Sequence, residues 1–347
     1  MRAKSLALWA SLLVIVLILS ACGSNNANDN AANSGNTASA SPESTASATA
    51  SAPASQETSA FPRTIQAANG DIEIKEQPKK VAVVHWGYGD SLLLFDIPSV
   101  ALALPFTEAQ STLHTDSYKP YVDKLQELKI VGENTEVNLE ALLAYKPDLI
   151  LAGNAVNKDI TADLEKIATT VVIDEATTDV WSNWPALVTK FGEIVGQEET
   201  AAKYIADYNA LLQSSKEKLA GLEGKVAFLQ VRDKTVWLQG TNYTKQYYEG
   251  MGLKAPESAD IDMTEGAELS LEGLSVLDPD YIVLGYFNYS DKTIPALTDE
   301  WDDGEVWKKL KAVQNGHVYG VDGQLALGYG PIGNAYGVQA VLDALSK

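Results

Sequence analysis

The chain has 347 residues, 46% apolar and 21% charged, enough for two lobes with cores of their own. With 46 acidic against 26 basic residues the formal net charge is −20, which argues against nucleic acid or an anionic membrane surface as a partner, since both need a basic footprint. One cysteine excludes an internal disulfide and a cysteine-rich zinc module, and three histidines (His85, His114, His317) leave little for a multi-histidine metal site.

Residues 1–21 open with Arg2 and Lys4 and continue with an apolar run over 6–19. A basic start, a short apolar run and small residues after it predict a signal peptide. The run is short of the roughly 20 residues that span a bilayer. Leu19-Ser20-Ala21-Cys22-Gly23 follows. This resembles the bacterial lipobox, whose cysteine takes a diacylglyceryl thioether and becomes the new N-terminus, so Cys22 is the expected lipidation site. Residues 23–60 contain no Leu, Ile, Val or aromatic residue. Such a stretch buries too little apolar surface to offset its chain entropy. Residues 22–60 are therefore predicted to be a lipidated Cys followed by a disordered Ser/Ala/Asn-rich tether, with a coil dimension of roughly 30–40 Å.

The body starts near Phe61. Strands are predicted at 81–84, 100–104, 149–152, 170–173, 226–231, 235–238, 281–284 and 317–321. Amphipathic segments lie between many of them, for example 139–145 and 160–167. This alternation predicts an α/β fold with largely parallel sheets. Helix starts are marked at Asp90, Asn138, Ser270 and Asn334, or at Pro331 before it.

A repeat predicts two lobes. Residues 137–153 read VNLEALLAYKPDLILAG and residues 269–285 read LSLEGLSVLDPDYIVLG. Leu139, Glu140, Leu142, Pro147, Asp148, Ile150 and Gly153 of the first copy recur in the second, as Leu271, Glu272, Leu274, Pro279, Asp280, Ile282 and Gly285. Between the copies, Trp184, Leu187, Val188, Phe191, Ile194 and Val195 keep helical spacing, and the pattern resumes from Ala201 to Leu219. The expected layout is an N-terminal α/β lobe over 61–180, a helical connection over 181–220 and a C-terminal α/β lobe over 221–347. A helical connection would limit lobe closure to small rocking motions.

Several motifs suggest enzymes but fail in context. Gly328-Tyr-Gly-Pro-Ile-Gly333 matches GxGxxG, yet too little chain follows it for a βαβ unit. It is expected to shape the loop before the last helix. Ser91 lacks the GxSxG surroundings of a nucleophile elbow. No P-loop or HExxH sequence occurs, and no carboxylate pair is singled out for acid–base work. No catalytic residue and no metal ligand is predicted.

The lipobox, the tether and two lobes each carrying LE-x-L-x-x-x-x-PD-x-I resemble bacterial ABC-importer substrate-binding lipoproteins of the iron–siderophore class. The resemblance spans residues 61–347. It rests also on VAVVHWGYGDSLLLFDIPSVALA, VGENTEVNLEALLAYKPDLILAG and VWKKLKAVQNGHVYGVD. It implies two Rossmann-like lobes joined by a long helix, with a ligand clamped between them. It also implies a monomeric, non-enzymatic carrier of a ferric siderophore, with no cofactor, serving an ABC permease of the FecCD-like type. Its implied place is the outer face of a cell membrane, in a Gram-positive organism. Haem and cobalamin binders share this architecture. A surface hydrolase or adhesin on similar lobes is the alternative of another class.

Open α/β sheets bind ligands beyond the carboxyl ends of their strands. The polar and aromatic residues there are His85, Trp86, Tyr88, Phe106, Asn154, Arg232, Tyr286, Phe287, Asn288, Tyr289 and Tyr329; of these Trp86, Tyr88, Phe106, Asn154, Arg232, Tyr286, Asn288 and Tyr329 are the ligand candidates, with Trp237 and Tyr243 in a hairpin-like stretch beyond Arg232. Each aromatic could equally be ordinary packing, and Arg232 a surface ion pair with Asp233. Arg232 is the second lobe's only arginine. One guanidinium suits a nearly neutral hydroxamate complex better than a catecholate of about three negative charges, since unpaired buried charge is costly. Lys234, Lys245 and Lys292 could add cations. The resemblance further implies that Glu140 and Glu272 dock on permease arginines, one per lobe. Both would also stabilise helix N-termini.

Overall fold

The strand–helix alternation resolves into a six-stranded and a five-stranded sheet, with a separate two-stranded hairpin, in a computed structural model that describes residues 61–301 and 303–347. The predicted signal peptide, Cys22 and tether lie outside the described residues. A hairpin that the strand pattern above did not include comes first, β1 (Arg63–Ala67) and β2 (Gly70–Ile74). Its signal was the short alternating run on either side of Asn69-Gly70. Asn69 fastens it to the neighbouring sheet, its Oδ1 accepting the Val172 N–H at 3.1 Å.

The first lobe continues through β3 (Lys80–Val83), α1 (Gly89–Leu92), β4 (Ser99–Ala103), α2 (Lys119–Val122), β5 (Glu127–Glu133), β6 (Glu136–Val137), α3 (Leu139–Tyr145), β7 (Leu149–Gly153), α4 (Thr161–Ile167) and β8 (Thr169–Ile173). The sheet order is β6-β5-β4-β3-β7-β8. All neighbours are parallel except β5 and β6. The central strands β4 and β7 are buried throughout, as a sheet covered on both faces requires.

The connection is a pair of helices, α5 (Trp184–Val195) and α6 (Glu198–Lys218), rather than one. Gly196 explains the difference: it sits at φ +73°, a left-handed conformation that ends α5. Together the helices are tied to both lobes. Phe191 of α5 meets Tyr88 edge-on at 5.7 Å, and the Tyr204 hydroxyl of α6 donates to the Pro331 carbonyl at 2.9 Å.

The second lobe comprises β9 (Val226–Val231), β10 (Val236–Gln239), β11 (Gly266–Glu268), α7 (Leu271–Leu277), β12 (Tyr281–Tyr286), α8 (Lys311–Gln314), β13 (Val318–Asp322), α9 (Gly323–Ala326) and α10 (Pro331–Leu345). The order is β11-β10-β9-β12-β13. Only β9, β12 and β13 are parallel. β10 runs antiparallel to β9, because the turn closed by Arg232 N–H and the Thr235 carbonyl at 3.0 Å leaves no room for a crossover, and β11 pairs antiparallel with β10.

The repeat has a visible physical cause. Asn138 and Ser270 cap α3 and α7, accepting the N–H of Ala141 and Gly273. Lys146 and Asp278 end those helices in left-handed conformations. Asp148 then accepts the Lys80 N–H and Asp280 the Lys225 N–H, so each Pro-Asp turn aligns the central strand with its neighbour. One apolar cluster runs through both lobes and the connection, taking in Val81, Phe95, Phe191, Phe228 and Val338. Each outer face has its own cluster, around Leu142 and Ile150 in one lobe and Leu274 and Trp307 in the other.

Candidate ligand-binding site

The carboxyl ends of β3, β4, β9 and β12 converge on a cavity of about 350 Å³ between the lobes. Trp86, Leu104 and Phe106 line it from the first lobe, and Gln230, Arg232, Phe287, Gln324 and Tyr329 from the second. The size suits a small-molecule site.

An aromatic chain crosses the cavity wall. Trp86 meets Tyr329 at 5.3 Å, Tyr329 meets Trp181 at 5.0 Å, and Trp181 meets Tyr243 at 5.9 Å, all edge to face. Beneath Trp86 lies His85, buried and stacked on Tyr88 at 3.8 Å. Its Nδ1 accepts the Gly87 N–H at 3.0 Å, so the ring proton faces Glu175 from Nε2. Burial, opposed by Glu175, pushes His85 down to about 4, and the ring is neutral at pH 7. Neutral His85 thus fixes the turn that presents Trp86.

Arg232 supplies the cavity's cation. Its guanidinium carbon lies 4.4 Å from the centre of the Phe287 ring, a cation–π contact at the exposed mouth. The floor carries the opposite charge. Asp90 is 7% exposed and its Oδ2 accepts the N–H groups of Ile332 at 3.1 Å and Gly333 at 3.5 Å. Burial pushes Asp90 up to about 6, while Tyr118 and those N–H groups oppose the rise. The GxGxxG stretch therefore does receive an anion, and it is the chain's own. Gly330 sits at φ +84°, and a Cβ there would strike the Asp90 carboxylate.

The structure separates the sequence candidates. Trp86, Phe106, Arg232 and Tyr329 line the cavity. Tyr88 is fully buried behind it, taken up by its stack on His85. Asn154 is spent on the loop after β7, its Nδ2 donating to Asp174 and its Oδ1 accepting the Glu175 N–H. Trp237 lies within β10, 41% exposed, and Tyr243 donates to Glu265 at 3.0 Å behind Trp181. Tyr286 ends β12 beneath Lys292, and Asn288 is buried with its Nδ2 on the Ile294 carbonyl. None of these six lines the cavity, nor do Lys234, Lys245 and Lys292. Asp90, Tyr118, Trp181, Gln230 and Gln324 line it without having been candidates. Trp181 follows β8, so the strand-end rule would have reached it. Glu140 and Glu272 are exposed in the first turns of α3 and α7.

Residues 81–325 match the periplasmic binding protein family. The chain belongs to that family. It is 28% identical to a putative ABC transporter substrate-binding lipoprotein, YhfQ, of Bacillus subtilis, over 80% of this chain and 85% of that one. It is 26% identical to the iron(3+)-hydroxamate-binding protein YxeB of the same organism, over 99% and 97% of the two chains. The solved structure of FeuA, the Bacillus subtilis triscatecholate siderophore binding protein complexed with ferri-bacillibactin, superposes with a TM-score of 0.61. It is 25% identical and covers 82% of this chain and 98% of that one. The bilobed α/β architecture with a cleft between lobes is thus the family's, and the family's members are binding proteins rather than catalysts.

Proposed function

We propose that this protein captures a ferric siderophore of the hydroxamate type outside the cytoplasm and delivers it to an ABC permease of the FecCD-like type. Family membership implies a permease partner and a small iron chelate as ligand. Relatives named for iron(3+)-hydroxamate and for a triscatecholate complex both support a siderophore. The hydroxamate preference rests on one observation: the cavity pairs aromatic walls with a single lining cation, Arg232, and a buried anion, Asp90. A neutral chelate matches that balance, whereas a trianionic one would be left with unpaired charge. The lipobox at Cys22 supports a lipid anchor on the outer face of the membrane.

Trp86 and Trp181 line the cavity, so tryptophan fluorescence is the natural probe. Titration with a ferric tris-hydroxamate, a ferric tris-catecholate, haem and cobalamin should give submicromolar quenching by the hydroxamate. Quenching by the catecholate with none by any hydroxamate rejects the hydroxamate assignment. Quenching by haem or cobalamin alone rejects the siderophore reading.

A further inference from the structure

The cavity's two charges are in unlike surroundings. Arg232 is exposed at the mouth, where water screens it. Asp90 is buried at the floor, and a charge there acts through a medium of far lower dielectric. Its Oδ2 accepts the backbone N–H groups of Ile332 and Gly333, and its side-chain partner is the uncharged Tyr118 hydroxyl. The titratable groups whose fields reach it are Tyr118, Tyr121, Tyr204 and Tyr329, all neutral hydroxyls at pH 7. Among the described residues no cation lies against the Asp90 carboxylate, and the cavity's one lining cation, Arg232, sits apart from it at the exposed mouth.

We infer that Asp90 is a specificity-determining residue: its negative charge at the cavity floor, carried at pH 7.5, admits neutral ferric chelates and rejects anionic ones. The inference rests on reading the cleft as the siderophore site. The discrimination acts at a distance and needs no contact between ligand and carboxylate. A chelate with all three hydroxamates deprotonated on ferric iron is neutral and meets no penalty. A carboxylate- or catecholate-rich complex brings like charge toward the floor. The α10 N-terminus holds Asp90 in place but is itself consumed by it, leaving no free N–H group there for a ligand's anion.

The test compares two forms of one chelate, a ferric tris-hydroxamate bearing a remote carboxylate and its neutral methyl ester. Both are titrated by calorimetry into wild-type protein and into Asp90→Asn and Asp90→Glu. Wild type should bind the ester at least about tenfold more tightly than the acid. Asp90→Asn keeps an oxygen for the Ile332 N–H but removes the charge, and should bring the ratio close to one. Asp90→Glu should keep the preference. A ratio near one in wild type overturns the inference whether or not either variant folds, and so does a ratio unchanged in a folded Asp90→Asn protein. If neither form binds wild type, the hydroxamate reading of the site falls first and this inference with it.

Discussion

The Asp90 carboxylate, carried by the first lobe, accepts the Ile332 N–H of the second at 3.1 Å. The contact joins α1 to the start of α10 and makes the floor of the cleft a bond between lobes. It has a pH signature. Asp90 rises from 3.8 to about 6 on folding, so the native state binds its proton more tightly than the unfolded chain does. Stability from this group is therefore absent above about pH 6 and grows as pH falls toward 4. The facing tyrosines are held above their usual range and stay neutral across that window. Urea unfolding of wild type and Asp90→Asn should diverge as pH drops from 7.5 to 4.5, wild type gaining about 2 kcal/mol relative to the variant. Parallel pH profiles would show that Asp90 titrates normally.

Trp181 contacts Tyr329 and Tyr243 while lining the cavity. It comes from the segment that leads into α5, so it sits where the lobes meet. Trp181→Ala should lower affinity for the cleft ligand about tenfold, through lost aromatic surface worth roughly 1–1.5 kcal/mol. Trp181→Phe should recover most of that loss. Calorimetric titration of the three proteins decides it, and equal affinities would make Trp181 a packing residue only.

The sequence pattern carries the fold further than the site, for a reason visible in particular residues. Buried parallel strands are continuous apolar runs, as at 149–152, and capped turns recur as at Asn138 and Ser270. Both are local signals. The amphipathic β5 and the β1–β2 hairpin alternate polar and apolar residues, so a search for apolar runs passes over them. Site residues are set by direction. Trp86 and Tyr88 are two apart at one strand end, yet one lines the cavity and the other packs against His85 and Phe191. Asp90 reads as a helix-starting acid, and only the approach of α10, more than two hundred residues later, turns it into the cavity floor.

Arg232 stacks on Phe287 at the mouth of the cleft. Its backbone is held on both sides, the N–H by Thr235 and the carbonyl by Leu297, so the side chain starts from a fixed point. Arg232→Ala should weaken a bound hydroxamate complex by about 1.5–3 kcal/mol, the scale of a hydrogen bond to a charged group. Arg232→Lys should restore only part of this, because an ammonium lacks the guanidinium's fixed fork of donors. An affinity unchanged in Arg232→Ala would place the guanidinium outside the site.

Glu140 and Glu272 occupy the same step of the repeat, exposed one residue into α3 and α7. Neither lines the cavity, and neither carries a hydrogen bond that fixes a neighbouring strand, since capping falls to Asn138 and Ser270. Their removal should therefore cost the fold little, within the roughly 0.3–1 kcal/mol of a helix-terminal charge. An outward carboxylate repeated in both lobes fits a membrane partner that offers a cation to each. Rim charges act mainly on association rate and orientation. The double reversal Glu140→Lys with Glu272→Lys should abolish iron-chelate uptake in cells while leaving ligand affinity and thermal stability of the purified protein close to wild type. Each single reversal should lower uptake partially. Normal uptake by the double variant, or loss of ligand affinity in it, would remove both residues from the permease interface.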